Sequence, residues 1–282
     1  MKTGGVRREI VILGLGHVGA SLAAALSIRG WKVWGWDKSA AAVRYCRKEG
    51  WVYHVVRSGI DIQTHNLLCV VALPEIAVHD VKLKELLVHL PHGTIVTDVF
   101  SSKSAGVQEL AHICGMHGLR YGWSHPLAGR EGRGAASADP AIFNGAHVLI
   151  DSNAPTAVRS ELTRFWRALD CGVDAISTAN HQKQMAMGSH LMHVLAYSLM
   201  HVLEEGKKPS PSVLGVTRVA KSNPDAWASI LASNSREVQV AVTRLIRGLK
   251  KTSTLLKAGD TAALAKYLAE AQRLRIKLEE KS

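Results

Sequence analysis

The apolar and polar positions change their rhythm along the chain, and the change divides it in two. EIVIL at 9–13 is a short apolar run ending in glycines, and ASLAAALSIR at 20–29 follows with helical character before Gly30. KVWGWD at 32–37 alternates as a strand does, and 39–49, Ala-rich with basic residues, is closed by Gly50. LLCVVAL at 67–73 is continuously apolar, the pattern of a strand covered on both faces. Helical spacing returns over 75–90, and TIVTDV at 94–99 reads as another buried strand. A helix over 102–114 and short strands at 119–124 and 146–150 complete the series. Strands alternating with helices of this length predict a doubly wound α/β sheet with crossover helices.

Beyond residue 178 the strand signals stop. Residues 179–205 keep helical periodicity until Gly206, Pro209 and Pro211. Pro224 follows Asn223 in a helix-start position, and Trp227, Leu231, Val238, Val242, Leu245 and Leu249 then form a stripe that predicts one long amphipathic helix. A last helix starts near Thr261. Long helices with apolar stripes and no sheet to cover bury themselves against a partner. The expected organisation is therefore a Rossmann-like domain over 1–178 and an all-helical dimerisation domain over 179–282, giving a homodimer. Helices packed within a large monomer are the plain alternative.

Composition narrows the class. The 282 residues are 47% hydrophobic and 21% charged, enough apolar content for a sizeable core. The longest apolar runs fall far short of the roughly 18–20 residues that a membrane span needs. The N-terminus has no secretory pattern, and Cys46, Cys69, Cys114 and Cys171 are scattered without metal or disulfide spacing, so a cytoplasmic protein with reduced thiols is expected. The formal charge of +12 raises nucleic acid, a membrane surface or small acidic ligands as partners. Two thirds of the excess lies after residue 178. Arg244, Arg247, Lys250 and Lys251 there have the spacing of a solvated helix face, and no nucleic-acid-binding signature accompanies them.

GLGHVG at 14–19 fits GxGxxG directly after a strand and at the start of a helix, and Asp37 ends the next strand. Gly14 permits the tight turn, Gly16 lets backbone approach a pyrophosphate, and Gly19 allows close helix–strand packing. The loop backbone of Leu15, His17 and Val18 and the helix N-terminus then face the phosphates. Asp37 would accept the ribose hydroxyls and repel a 2′-phosphate, favouring NAD over NADP, although Lys38 beside it can instead pair with a phosphate.

Three later segments carry polar groups where doubly wound sheets place ligands: TDVFSSK at 97–103, SHPLAG at 124–129, and HQKQMAMGSHLMH at 181–193. Together with VALP at 71–74, SHPLAGREGRG and TRVAKSNPDAW at 217–227, these make the chain resemble the prephenate/arogenate dehydrogenases of tyrosine biosynthesis. The resemblance covers nearly the whole chain in order, and no added regulatory or mutase domain of the kind some family members carry is expected.

It implies NAD-dependent oxidative decarboxylation of prephenate, a dianion, to 4-hydroxyphenylpyruvate. A hydride leaves the carbinol carbon for the nicotinamide, and loss of carbon dioxide aromatises the ring. By resemblance, His125 takes the hydroxyl proton, a task suited to an imidazole whose ordinary pKa of about 6.5 lies near neutrality. Ser101 orients it, and Ala72 and Pro74 line the cofactor site. Arg218 holds a substrate carboxylate, with His190 and His193 lining the same pocket. Arg130 replaces a small hydroxyl residue and is a second candidate cation. Gln182 in place of Asp, Met192 in place of Pro and Phe100 in place of a small residue are further departures, and they leave room for arogenate or another amino analogue. A metal held by His181, His190 and His193 has no carboxylate or cysteine nearby in sequence to complete it. The β-hydroxyacid dehydrogenases and imine reductases share the two-part architecture, with Lys183 the one candidate for their catalytic lysine.

Overall fold

A computed structural model describes residues 9–57, 67–128, 132–203 and 208–280. The chain divides into two compact units, 1–184 with 222–234, and 185–221 with 235–282.

In the first unit the predicted alternation becomes a parallel sheet. Its strands are β1 (Glu9–Leu13), β2 (Lys32–Trp36), β3 (His54–Val55), β4 (Leu68–Val71), β5 (Ile95–Asp98) and β6 (Arg120–Tyr121), in the order β3-β2-β1-β4-β5-β6. This is the doubly wound order whose winding reverses between β1 and β4, and ligands bind at the carboxyl ends there. Every residue of β4 is buried, as its unbroken apolar run requires. Each such Val or Leu contributes about 1.5–3 kcal/mol by leaving water.

Helix α1 (His17–Ile28) is buried from Gly19 through Leu26, because its alanines leave room for neighbours on every side. α2 (Ala40–Lys48) is capped by the Ser39 side chain, which accepts from the Ala42 N–H. The helix expected over 75–90 is two pieces, a 3-10 turn at Glu75–His79 and α3 (Val81–Val88). Asp80 lies between them in extended backbone and caps α3 by accepting from the Lys82 N–H at 2.7 Å, which explains the break. α4 is Ala105–Met116.

A second sheet follows, with β7 (Ser124–Pro126) antiparallel to β8 (His147–Asp151), and β8 parallel to β9 (Gly172–Ile176). α5 (Thr156–Arg167) lies between β8 and β9 in sequence, and α6 (Thr178–Met185) follows β9. Ser124 locks the start of β7: its hydroxyl is 2.8 Å from Thr97 Oγ1 and accepts from the Trp166 indole at 2.9 Å. With Ser124 turned to that buried face, alternation turns His125 to the other.

The stripe expected as one long helix is also divided. α9 (Pro224–Ser233) ends at Asn234, and α10 (Ser235–Ala258) begins directly after it. Buried Asn234 leaves helical geometry, and its side-chain amide donates to the Gln182 carbonyl at 2.9 Å. A tertiary hydrogen bond decides this break, which is why periodicity alone missed it.

The second unit is helical. A one-turn π-helix (Ala186–His190) leads to α7 (Leu191–Val202), and α8 (Pro211–Val216) is followed by a 3-10 turn at Arg218–Lys221. α10 and α11 (Thr261–Glu279) pack on one another. Ile246, Leu249, Leu256, Leu268, Leu274 and Leu278 are exposed on these two helices. No helix among the described residues is long and apolar enough to cross a membrane.

Candidate active site

The glycine loop sits at the switch point of the main sheet. Gly14 has φ +104°, and a Cβ there would lie 2.5 Å from the Ala72 carbonyl oxygen after β4. A Cβ on Gly19 would lie 1.9 Å from the Gly14 carbonyl oxygen. Both positions therefore exclude side chains because backbone passes against backbone. Gly16 differs: a Cβ there would meet nothing within 4 Å. Its bareness keeps open the space in front of α1, whose N-terminus carries no side-chain cap and no acidic residue in its first turn. A dinucleotide pyrophosphate fits this arrangement, because free helix N–H groups face a space that side chains leave empty.

His17 Nδ1 is 3.0 Å from Ser137 Oγ, and its buried Nε2 meets no hydrogen-bond partner among the described residues. Asp37 Oδ2 accepts from the Leu15 N–H at 2.7 Å, which ties the end of β2 to the glycine loop. Gly19→Ala is expected to weaken dinucleotide binding at least tenfold, since the clash is with a carbonyl that cannot move without opening the turn. Titration of the protein with NAD+, followed by tryptophan fluorescence, checks this; wild-type affinity would contradict it.

His125 is 8% exposed on β7, and its Nδ1 is 2.8 Å from Nε2 of the fully buried His181 on α6. The Trp123 ring stands edge-on to His181, and the Trp123 indole donates to Thr178 Oγ1, which holds the start of α6. At this distance one ring nitrogen donates to the other, and the tautomer decides which. If His125 Nδ1–H donates to His181, His125 Nε2 keeps its lone pair and can act as a base. Ser101 is exposed in the loop after β5, and the neighbour found at His125 Nδ1 is His181. In the sequence His181 stands only as a candidate metal ligand, and position alone does not connect it to a residue 56 places earlier.

The loop between β5 and α4 is held from below. Lys103 and Asp98 are fully buried and paired at 2.6 Å, and Lys103 also donates to the Ser124 carbonyl at 3.0 Å. Burial pushes the Lys103 ammonium below its usual range, and Asp98 pushes it back up. Tyr121 donates its hydroxyl to Asp98 at 2.5 Å, and burial beside that carboxylate drives the phenol well above its usual range. Gln182 takes both sides of the Lys103 backbone: its Oε1 accepts from the N–H at 3.5 Å and its Nε2 donates to the carbonyl at 3.3 Å. An aspartate could only accept, so this two-way clamp needs the amide. Buried Phe100 lies under the Lys103 ammonium, 5.7 Å from ring centre to nitrogen.

In the second unit, His190 ends the π-helical turn, 2% exposed, and burial lowers its imidazole to about 4. It is neutral near pH 7. His193 is lowered too, first by burial and also by the charge of Arg218. Its Nδ1–H donates to the Ser189 carbonyl at 3.1 Å, leaving Nε2 as an acceptor. Exposed Arg218 opens the 3-10 turn that packs on α7. The first unit thus holds the glycine loop, Asp37, Ala72, Pro74, Ser101 and His125, and the second holds His190, His193 and Arg218. Arg130 lies outside the described residues.

A glycine loop at the switch point of this sheet, with a helical unit beside it in the chain, defines a nucleotide-binding α/β protein of the doubly wound class. Residues 22–173 match the nucleotide-binding domain of prephenate dehydrogenase, and residues 177–270 match the dimerization domain of the same enzyme. The chain belongs to the prephenate dehydrogenase family.

It is 29% identical over 167 residues to a cyclohexadienyl dehydrogenase of Zymomonas mobilis, a match spanning 55% of this chain and 57% of that enzyme. It is 23% identical over 283 residues to a prephenate dehydrogenase of Lactococcus lactis, spanning 96% of this chain and 78% of the relative. In fold it is similar to a prephenate dehydrogenase from A. aeolicus in complex with hydroxyphenyl propionate and NAD+, with a TM-score of 0.85 at 23% identity, covering 98% of this chain and all of that one. An arogenate dehydrogenase from Synechocystis is similar at TM-score 0.82 and 22% identity, covering 96% and 99%.

Proposed function

We propose that this chain is an NAD-dependent prephenate dehydrogenase, converting prephenate to 4-hydroxyphenylpyruvate and carbon dioxide. The observation that supports it most is the buried His125–His181 pair beside the DVFSSK loop, in a chain of this family. A bound nicotinamide would supply the acceptor for the hydride leaving the carbinol carbon. His125 Nε2 takes the ring hydroxyl proton, with His181 holding the tautomer in which that lone pair is available. Arg218 pairs with a substrate carboxylate through its planar fork, and His190 and His193 line its surroundings as neutral groups. Because burial keeps both imidazoles uncharged, Arg218 is the cation of this group, and Arg130 is assigned to a second carboxylate. Gly14 to Gly19, Asp37, Ala72 and Pro74 form the dinucleotide site.

Residues 1–178 are assigned to the cofactor and 179–282 to substrate and dimerisation. The exposed leucines of α10 and α11 are the surface proposed for a homodimer, since such an apolar face is stable when a second copy covers it.

A second reading, arogenate as substrate, draws on the same neutral imidazoles, because an unprotonated ring nitrogen accepts from an ammonium group. Purified protein with NAD+ is expected to produce NADH from prephenate with a kcat/KM at least tenfold above that for arogenate. The reverse order of substrates would replace the first reading with the second, and no turnover of either would end both.

A further inference from the structure

Glu75 opens the 3-10 turn that follows β4, directly after Pro74, and three donors from one loop converge on its carboxylate. The Ser102 hydroxyl donates to Oε2, and the Ser104 hydroxyl and the Gly106 N–H donate to Oε1, the last at 2.9 Å. Ser102 and Gly106 are buried, and Glu75 is half-buried. The carboxylate also serves the start of α4, where Ser104 makes no side-chain cap bond and the first turn holds no acidic residue. An anion brought in from another segment suits those free N–H groups. A Cβ on Gly106 would lie 2.4 Å from Glu75 Cγ, so the glycine makes room for the acid.

Ser101 lies inside this frame. On one side of it the Phe100 N–H donates to buried Asp98 at 2.9 Å, and on the other the Ser102 side chain is tied to Glu75. Both neighbours are buried while Ser101 is exposed, so fixing them fixes the direction in which its hydroxyl leaves the loop. A helix cap by itself needs only the Gly106 bond; the two hydroxyl bonds reach back past Lys103 toward Ser101. Through Pro74, the same side chain is joined to the segment assigned to the dinucleotide, so it sets the spacing between that segment and the serine.

We propose that Glu75 is a positioning residue for the reaction: by binding Ser102 and Ser104 it holds the Ser101 hydroxyl at the reacting groups. This role rests on the dehydrogenase reading of the site and deepens it. It calls for hydrogen bonds and not for a charge. An amide in place of the carboxylate accepts through its oxygen from the Gly106 N–H and donates through its nitrogen to a serine oxygen, because a hydroxyl both donates and accepts. An alanine makes none of these bonds, and a displacement of about 1 Å at a reacting group can cost about a hundredfold in rate.

Four variants test this: Glu75→Ala, Glu75→Gln, Ser101→Ala and Glu75→Ala/Ser101→Ala. Each is assayed with NAD+ and whichever of prephenate and arogenate the wild type turns over, and by amide hydrogen exchange without ligands. Glu75→Ala is expected to lower kcat at least about tenfold, and Glu75→Gln to stay within about threefold of wild type. Ser101→Ala is expected to lower kcat as well, and adding Glu75→Ala to it to change kcat by less than about threefold, because the two act as one unit. In Glu75→Ala, exchange over residues 99–106 is expected to rise at least about tenfold while β4 and β5 keep wild-type protection. Should Glu75→Ala fail to fold, Ser102→Ala/Ser104→Ala removes the hydroxyl bonds from the other side and is held to the same outcomes for kcat, exchange and coupling to Ser101→Ala. Wild-type kcat in Glu75→Ala or in Ser101→Ala, losses that add in the double variant, a glutamine as poor as the alanine, or exchange that rises throughout the sheet overturns the role of Glu75 and leaves the dehydrogenase reading in place. A wild-type protein that turns over neither substrate ends both.

Discussion

His125→Asn is expected to lower kcat by roughly a thousandfold, with NAD+ affinity and the circular-dichroism spectrum unchanged. General base catalysis of this kind contributes about 10²–10⁴ in rate. The proposed role calls for a group that can accept a proton near neutrality, which an imidazole is. His125 Nδ1 lies 2.8 Å from His181 Nε2, and the role proposed for His125 as base falls to its Nε2. An asparagine amide can hydrogen-bond a hydroxyl but does not accept its proton near neutral pH. In the opposite tautomer His181 donates, His125 Nε2 carries the hydrogen, and the base is lost. The buried position of His181, enclosed by Trp123, holds the ring pair in one geometry. Turnover within tenfold of wild type would remove His125 from the role of base. A fall confined to KM would make it a substrate-binding group instead.

Lys103→Met is expected to cost about 3–5 kcal/mol of stability, the range for removing one partner of a buried ion pair. Against a total of about 5–15 kcal/mol for an ordinary domain, that is a large share. The cause is the carboxylate left behind. Asp98 is fully buried, and without Lys103 it retains the Tyr121 hydroxyl and the Phe100 N–H, at 2.9 Å, as donors but no counter-charge. Replacing both partners, Lys103→Met with Asp98→Leu, should recover part of the loss, because no charge then remains in the core. Urea denaturation of the three proteins measures this. A single variant within about 1 kcal/mol of wild type would refute the assignment. Because Lys103 also holds the Ser124 carbonyl, the residue before His125, the single variant should lose activity even where it remains folded.

These two effects differ in how far residues reveal them. The DVFSSK and SHPLAG segments stand out in the chain as polar groups at strand ends, and the family they resemble is the family to which the chain belongs. Their partnership does not stand out. Asp98, Lys103, Tyr121 and Ser124 form one buried network that hydrogen-bond geometry defines, and each member alone reads as an ordinary loop or strand residue. Gln182 is similar: as a letter it is a departure from the family pattern, and in the fold it is a clamp that uses both ends of an amide. Likewise, the two helix breaks at Asp80 and Asn234 arise from a side-chain cap and a long-range hydrogen bond that the apolar stripe does not record.

The sequence by itself determined the class of this protein. Apolar runs of strand length between helical stretches dictate a parallel sheet, because only that sheet buries both faces of each strand. Glycines at 14, 16 and 19 mark the turn, because backbone packs there where side chains cannot. Tertiary structure decided the rest: which histidine meets His125, which acid is neutralised by Lys103, and which hydroxyls gather on Glu75. The physical reason is range. Periodicity and glycine geometry are local and written in neighbouring residues, whereas charge pairing and proton sharing act through space between residues that the chain keeps far apart.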